Sequence, residues 1–263
     1  HDNGWHPAFY QVLPDHLPLY RQIGLKALHI GDEAIVYLPN FNLAGKAFKN
    51  LRNTVNRFRR EGFHSIYYEA PLDSHFINRL RSVSDDWLRH QGGEEKAFSL
   101  GWFDTEMLRH TPVVTIEDEA GRIYAFANYV PMYRLRQASP DLMRYSSDAP
   151  PGIMDYLFIE SILHFKEKGL DGFNLGLAPL AQVGQKENSS LAERAISLLY
   201  NNFYNFKGLY AFKAKFKPRW EPRYLIYPSL VLLPRISLAV IRADNPTGFN
   251  KFLPERVRRL INP

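Results

Sequence analysis

The sequence of 263 residues contains no cysteine, which excludes disulfide frameworks, thiolate nucleophiles and thiolate-ligated zinc or iron–sulfur centres. Any chemistry it performs therefore rests on oxygen and nitrogen groups, and the absence fits a reducing compartment. Long apolar runs are missing as well. The best candidate, residues 225–241, is interrupted by Pro228, Pro234 and Arg235. It falls short of the about 20 apolar residues that span a bilayer, so it is expected not to cross one, although it could lie on its surface. The polar start has no initiating methionine and no signal peptide, and reads as a fragment or a processed chain. Internal repeats and low-complexity segments are absent. So are the signatures G-x-x-x-x-G-K-[ST], G-x-G-x-x-G, H-E-x-x-H and G-x-S-x-G, which removes support for the common nucleotide, dinucleotide, zinc-protease and hydrolase chemistries. The 9 histidines are scattered, with no i, i+4 pair, so no metal site is expected.

What is present is a core-forming, mildly basic chain. Hydrophobic types make up 45%, and 33 Lys and Arg against 27 Asp and Glu give a formal charge of +6. A surplus of that size points to an anionic partner only where it is clustered. Periodicity predicts an alternating α/β order. Strands are expected at residues 9–13, 34–38, 66–69, 173–177 and near 223–227, and a hairpin at 113–117 and 123–130. Helices are expected at 14–23, 42–61, from Asp73 or Ser74 onward, at 152–168 and at 191–204, with a long polar loop at 132–151 and a basic tail at 251–259. The helix at 42–61 sets Phe48, Leu51, Val55 and Phe58 on one stripe and carries Lys46, Lys49, Arg52, Arg57, Arg59 and Arg60 elsewhere. Those six cations form either a solvated face or a surface for phosphates of nucleic acid or lipid.

The segment 210–220 interleaves aromatic residues with cations, a pattern suited to stacking bases while holding phosphate. Read as a strand, it places Phe212, Ala214 and Phe216 on one face and Lys213, Lys215 and Lys217 on the other: an edge strand guarded by lysines, or an anion site. In the loop at 132–151, Asp141 and Arg144 are spaced for a pair on one helical turn. Asp155 falls in the first turn of the following helix, where a carboxylate favours the dipole. These residues read equally as capping and salt bridging, and the length of the loop favours function.

The block Asp141-Leu-Met-Arg, then Asp-Ala-Pro-x-Gly-x-Met-Asp-Tyr-Leu-Phe ending at Phe158, resembles the C-terminal domain of phosphatidylglycerol lysyltransferases, the multiple peptide resistance factor family. So do Gly172-Phe-Asn-Leu-Gly-Leu-Ala-Pro-Leu-Ala, Leu209-Tyr-Ala-Phe-Lys-Ala-Lys-Phe, Pro218-Arg-Trp-Glu-Pro-Arg-Tyr, Phe9-Tyr-Gln-Val and Gly31-Asp-Glu-Ala. The resemblance reaches to about Pro246. It implies an α/β tandem acetyltransferase-like (GNAT) fold, with residues 1–40 the remainder of an incomplete first unit and 41–263 the second.

It also implies transfer of lysine from lysyl-tRNA to the headgroup hydroxyl of phosphatidylglycerol, which confers resistance to cationic antimicrobial peptides. The setting would be the cytoplasmic side of the bacterial membrane, after an N-terminal transmembrane domain. The alternatives are transfer of alanine from alanyl-tRNA, transfer to a peptidoglycan precursor, and a non-catalytic membrane or RNA module. Exchange between two esters is near thermal balance, so the expectation is no cofactor and no metal, with aminoacyl-tRNA as the donor; the enzyme must orient the hydroxyl, take its proton and stabilise the oxyanion. The segment before Gly152 lacks the Gln/Arg-x-x-Gly-x-Gly/Ala loop of CoA users, which weakens an acetyl-transfer reading.

By the family motif, Asp141 would meet the aminoacyl ammonium or the acceptor hydroxyl and Arg144 a phosphate or a structural partner. A lysine of the Phe-Lys-Ala-Lys-Phe block, Lys215 first and Lys213 second, would neutralise phosphate or the oxyanion. Further substrate contacts are expected from Asp155, Tyr156, Glu160, Asn174, Arg219 and Asp244.

Overall fold

The structure is a computed structural model that describes residues 5–91, 101–179 and 206–244. The helix expected at 191–204 and the tail at 251–259 lie outside these residues. The chain divides into two compact units, His1–Tyr37 with Gly172–Leu238, and Leu38–Asp171 with Ala239–Pro263. The break after Tyr37 lies close to the boundary expected at residue 40, but strands beyond residue 171 return to the unit that begins the chain.

In that unit β1 (Phe9–Val12), β8 (Arg219–Tyr227), β2 (Lys26–Tyr37) and β7 (Gly172–Pro179) form an antiparallel ladder in the order given. The short α1 (Leu17–Gln22) links β1 to β2. Leu28, Ile30, Leu225 and Tyr227 pack with Leu233 and Ile236 as one apolar cluster. Helix α6 (Phe206–Ala214) packs on β7.

In place of the strand expected at 210–217, Phe206–Ala214 is helical. The alternation of Phe212 and Phe216 with lysines is also an i, i+4 helical spacing, and the two rings lie 5.5 Å apart. The apolar segment at 225–241 is two structures, the first of them the end of the strand expected near 223–227. Leu225 to Tyr227 complete β8, and after a 3-10 turn at Leu230–Leu232 the helix α7 occupies Leu233–Asp244. Among the described residues no helix is long and apolar enough to cross a membrane.

The other unit has an antiparallel ladder β6 (Gln137–Tyr145), β5 (Ile123–Met132), β4 (Val113–Glu117), β3 (His64–Tyr68). Helices α2 (Lys49–Arg60) and α5 (Ile153–Glu167) pack together, with Phe58 stacked on Tyr156 at 4.9 Å. Helix α3 (Ser74–Gln91) and the short α4 (Thr105–Arg109) bury Phe76, Ile77, Leu80 and Leu108 against Val113, Phe126 and Leu142. The helix expected from residue 42 begins as a 3-10 turn at Lys46–Phe48.

The long loop expected at 132–151 is mostly strand β6. Its alternation is disguised by a bulge. Ala127 pairs with Met143 and Tyr129 with Pro140, so one residue of β5 faces two of β6.

Candidate functional site

Asp141 and Arg144 lie in β6, not on a helical turn, and three residues along a regular strand would put them on opposite faces. The bulge cancels that parity. Asp141 and Leu142 both stand opposite Asn128, whose buried side chain accepts from the Leu142 N–H at 2.7 Å and donates to Thr111 Oγ1 at 3.1 Å. Removal from water raises the Asp141 carboxyl above its ordinary range, opposed by a hydrogen bond with Asn128 and the charge of Arg144. Gly101 backs this carboxylate so closely that a Cβ there would sit 2.8 Å from it. Arg144 is buried, its guanidinium 4.1 Å over the Trp87 ring and its Nη1 donating to the Met143 carbonyl at 3.0 Å. Trp87 and Asn128 thus shape a group that the sequence announced only by Asp141 and Arg144.

A second group forms in the unit of β2, β7 and β8. Glu33 stands opposite Leu177 on one side and Glu221 on the other. Arg223, itself buried, pairs with Glu33 and reaches Glu221 at 3.4 Å. From α6 the Lys213 ammonium donates to the Leu177 carbonyl at 2.7 Å. Lys213 is only 6% exposed, and burial pulls its pKa down to about 7 against the opposing pull of Glu33. Gly176, at φ +79°, turns β7 beside it, and the Asn174 side chain accepts from the Gly176 N–H at 2.8 Å, which holds this irregular turn. A lysine poised near neutrality can carry charge beside an anion or exchange a proton, and its carboxylate–guanidinium neighbours fix the field around it.

Lys215, placed first from sequence, is exposed, with its ammonium 5.1 Å over the Phe212 ring; the buried lysine of the block is Lys213. Arg219 is exposed and pairs with Glu221. Asp155 lies in the first turn of α5. Tyr156 donates to the Phe63 carbonyl at 3.2 Å, and Glu160 pairs with Arg59 at 2.9 Å and accepts from Ser65 at 3.3 Å, so both tie α5 to α2 and β3. Asp244 ends α7, and its side chain lies outside those described.

Of the basic-helix cations, Arg52 donates to the Gly45 carbonyl at 3.1 Å and Arg60 to the Asn56 carbonyl at 3.3 Å. Arg57 donates to the Pro151 carbonyl, while Lys46 and Lys49 are exposed. Asp141, Arg144 and Glu160 belong to one unit; Lys213, Lys215, Asn174 and Arg219 belong to the other. Among the described residues no three His, Asp or Glu side chains are grouped to hold a metal.

The family model described as phosphatidylglycerol lysyltransferase, C-terminal, matches residues 1–227. The chain belongs to this family. It is 43% identical over 230 residues to the phosphatidylglycerol lysyltransferase of Bacillus subtilis, a match covering 86% of this chain and 27% of that protein. The chain thus spans about a quarter of the length of such relatives. The solved structure of L-PGS from Bacillus licheniformis is 40% identical, with a TM-score of 0.83 over 92% of this chain and 74% of that one. FemX shares the fold alone, at 9% identity and a TM-score of 0.57 over 88% of this chain and 74% of that one. The architecture is the mixed α/β, GNAT-like fold that the sequence blocks implied.

Sequence reasoning passed over Glu33 and Arg223, although both stand inside family blocks, Gly31-Asp-Glu-Ala and Pro-Arg-Tyr. The available signal was an acid and an arginine that each run directly into an apolar strand segment, at 34–36 and 224–227, a charge that burial tolerates only when paired.

Proposed function

We propose that this chain is the catalytic part of a phosphatidylglycerol lysyltransferase. It would move lysine from lysyl-tRNA to the headgroup hydroxyl of phosphatidylglycerol, on the cytoplasmic side of a bacterial membrane, without a further cofactor. The reading is carried by the family match across residues 1–227. The chemistry of the two buried groups supports it. In the reaction the acceptor hydroxyl attacks the aminoacyl ester carbonyl, its proton leaves, and the ester oxygen of the tRNA ribose departs with a proton.

Asp141, with its raised affinity for protons, is assigned to the aminoacyl ammonium or the acceptor hydroxyl. Lys213 is assigned to phosphate or the developing oxyanion, with Lys215 available to more distant phosphate. Arg144, stacked on Trp87, is assigned to support of Asp141. Resistance to cationic peptides would follow as a physiological consequence of a more positive lipid surface.

The test is incubation of the chain with labelled lysyl-tRNA or alanyl-tRNA and phosphatidylglycerol vesicles, followed by thin-layer separation of lipids. Labelled lysyl-phosphatidylglycerol is expected. Transfer of alanine only would reassign the donor, and no lipid product from either tRNA would refute the reading.

A further inference from the structure

The register of the first ladder sets Phe9 of β1 opposite Ile226 and Lys26 of β2 opposite Tyr227. The start of β1, the start of β2 and the end of β8 therefore lie at one end of the sheet. Three stretches leave from that end, and each presents large apolar side chains to solvent. Trp5 is 77% exposed before β1, Ile23 is 71% exposed after α1, and Val231 is 86% exposed after β8, with Phe9 and Leu230 exposed beside them. Single exposed apolar residues are ordinary; five from three stretches flanking one sheet end concentrate apolar surface there.

Among the described residues of these stretches, the charges nearest this sheet end are cationic. Arg21, Lys26 and Arg235 are exposed, residues 228–243 contain no Asp or Glu, and residues 5–26 contain only Asp15. Helix α7 continues the pattern: Leu233, Ile236 and Ser237 are buried while Pro234, Arg235 and Leu238 face outward.

We propose that this sheet end is an interfacial face that seats on a bilayer of anionic lipid. Tryptophan, branched aliphatic side chains and a cationic rim with almost no acid match what a headgroup layer accepts. The rings and aliphatic groups enter the acyl boundary, and each cation near the surface adds a factor on the order of fivefold to binding. Glu33 lies seven residues along β2 from Lys26, roughly 20 Å away at strand rise, so this face is separate from the Lys213 and Glu33 group. The inference rests on the proposed acceptor being a membrane lipid.

The experiment is co-sedimentation of the full 263-residue chain with phosphatidylcholine vesicles, with and without phosphatidylglycerol, for the wild type and for the Ile23→Glu, Val231→Glu double variant. Both side chains are exposed, so circular dichroism should be unchanged. The wild type should bind the anionic vesicles in a salt-sensitive way, and the double variant should bind them at least about tenfold more weakly. Lysine transfer to vesicle phosphatidylglycerol should fall with binding, whereas transfer to a dispersed short-chain phosphatidylglycerol should stay at the wild-type rate.

Equal vesicle binding by the variant, or equal binding of the wild type to neutral vesicles, would overturn the proposal. So would a wild-type dimer that the substitutions dissociate while vesicle binding is absent. If the wild type binds vesicles through this face yet transfers lysine to no acceptor, the interface stands and the lysyltransferase reading falls.

Discussion

At Lys213 burial and chemistry oppose each other: the amine is held in the fold at a pKa of about 7, well below its ordinary 10.5. Because the folded-state value is depressed, the unfolded chain holds a proton that the folded chain has lost throughout the window between those two values. Stability should therefore rise with pH across it, and the full cost of charging the buried amine should be present below pH 7. Lys213→Met should flatten that slope and leave the protein as stable or more stable at pH 7, by on the order of 1 kcal/mol, while abolishing transfer. Urea unfolding at pH 7 and at pH 9.5 measures the first effect and the lipid assay the second.

Gly101 supports a second residue-scale prediction. A methyl group would meet the Asp141 carboxylate at 2.8 Å, so Gly101→Ala should displace it and lower transfer at least about tenfold, with a stability change within about 1 kcal/mol. Wild-type turnover in that variant would remove Asp141 from the reaction. Asp141 itself stands out in the sequence block that resembles the family. The closeness of Gly101 was not, because it is a contact between chain segments far apart in sequence.

At the scale of elements, the β5–β6 bulge does what regular pairing cannot. It brings an aspartate and an arginine of odd spacing to one face, and Asn128 holds it by satisfying the Leu142 N–H. Asn128→Ala should orphan that donor in a buried setting, costing about 2 kcal/mol in chemical denaturation, and should reduce transfer through Asp141. Helix α6 shows the other limit of pattern reading. Its alternating aromatic and lysine residues satisfy both a strand and a helical period, and only packing against β7 decides between them. By contrast α2 and α5 were legible: α2 buries a stripe at helical spacing and stops before Gly62, and α5 starts just after Pro151 and stops before Gly169. Strand β6 hides from pattern because Pro140 and the bulge together break the period of two.

For the molecule as a whole, a net charge of +6, with cations such as Lys46, Lys49 and Lys215 exposed among the described residues, predicts salt-dependent binding to tRNA. Affinity measured by filter binding should fall at least about tenfold between roughly 50 and 200 mM salt, as released counterions lose their entropic advantage. A salt-independent affinity would contradict a phosphate-led interaction. Residue types and local order were enough for the family, the α/β class and the exclusion of thiol chemistry, and they singled out Asp141, Arg144 and the lysine block as candidates. Tertiary structure alone decided which lysine is buried, that Glu33 and Arg223 surround it, and that Asp141 and Arg144 share a face. Those outcomes depend on desolvation and strand register, which arise only when distant segments pack, so no local pattern encodes them.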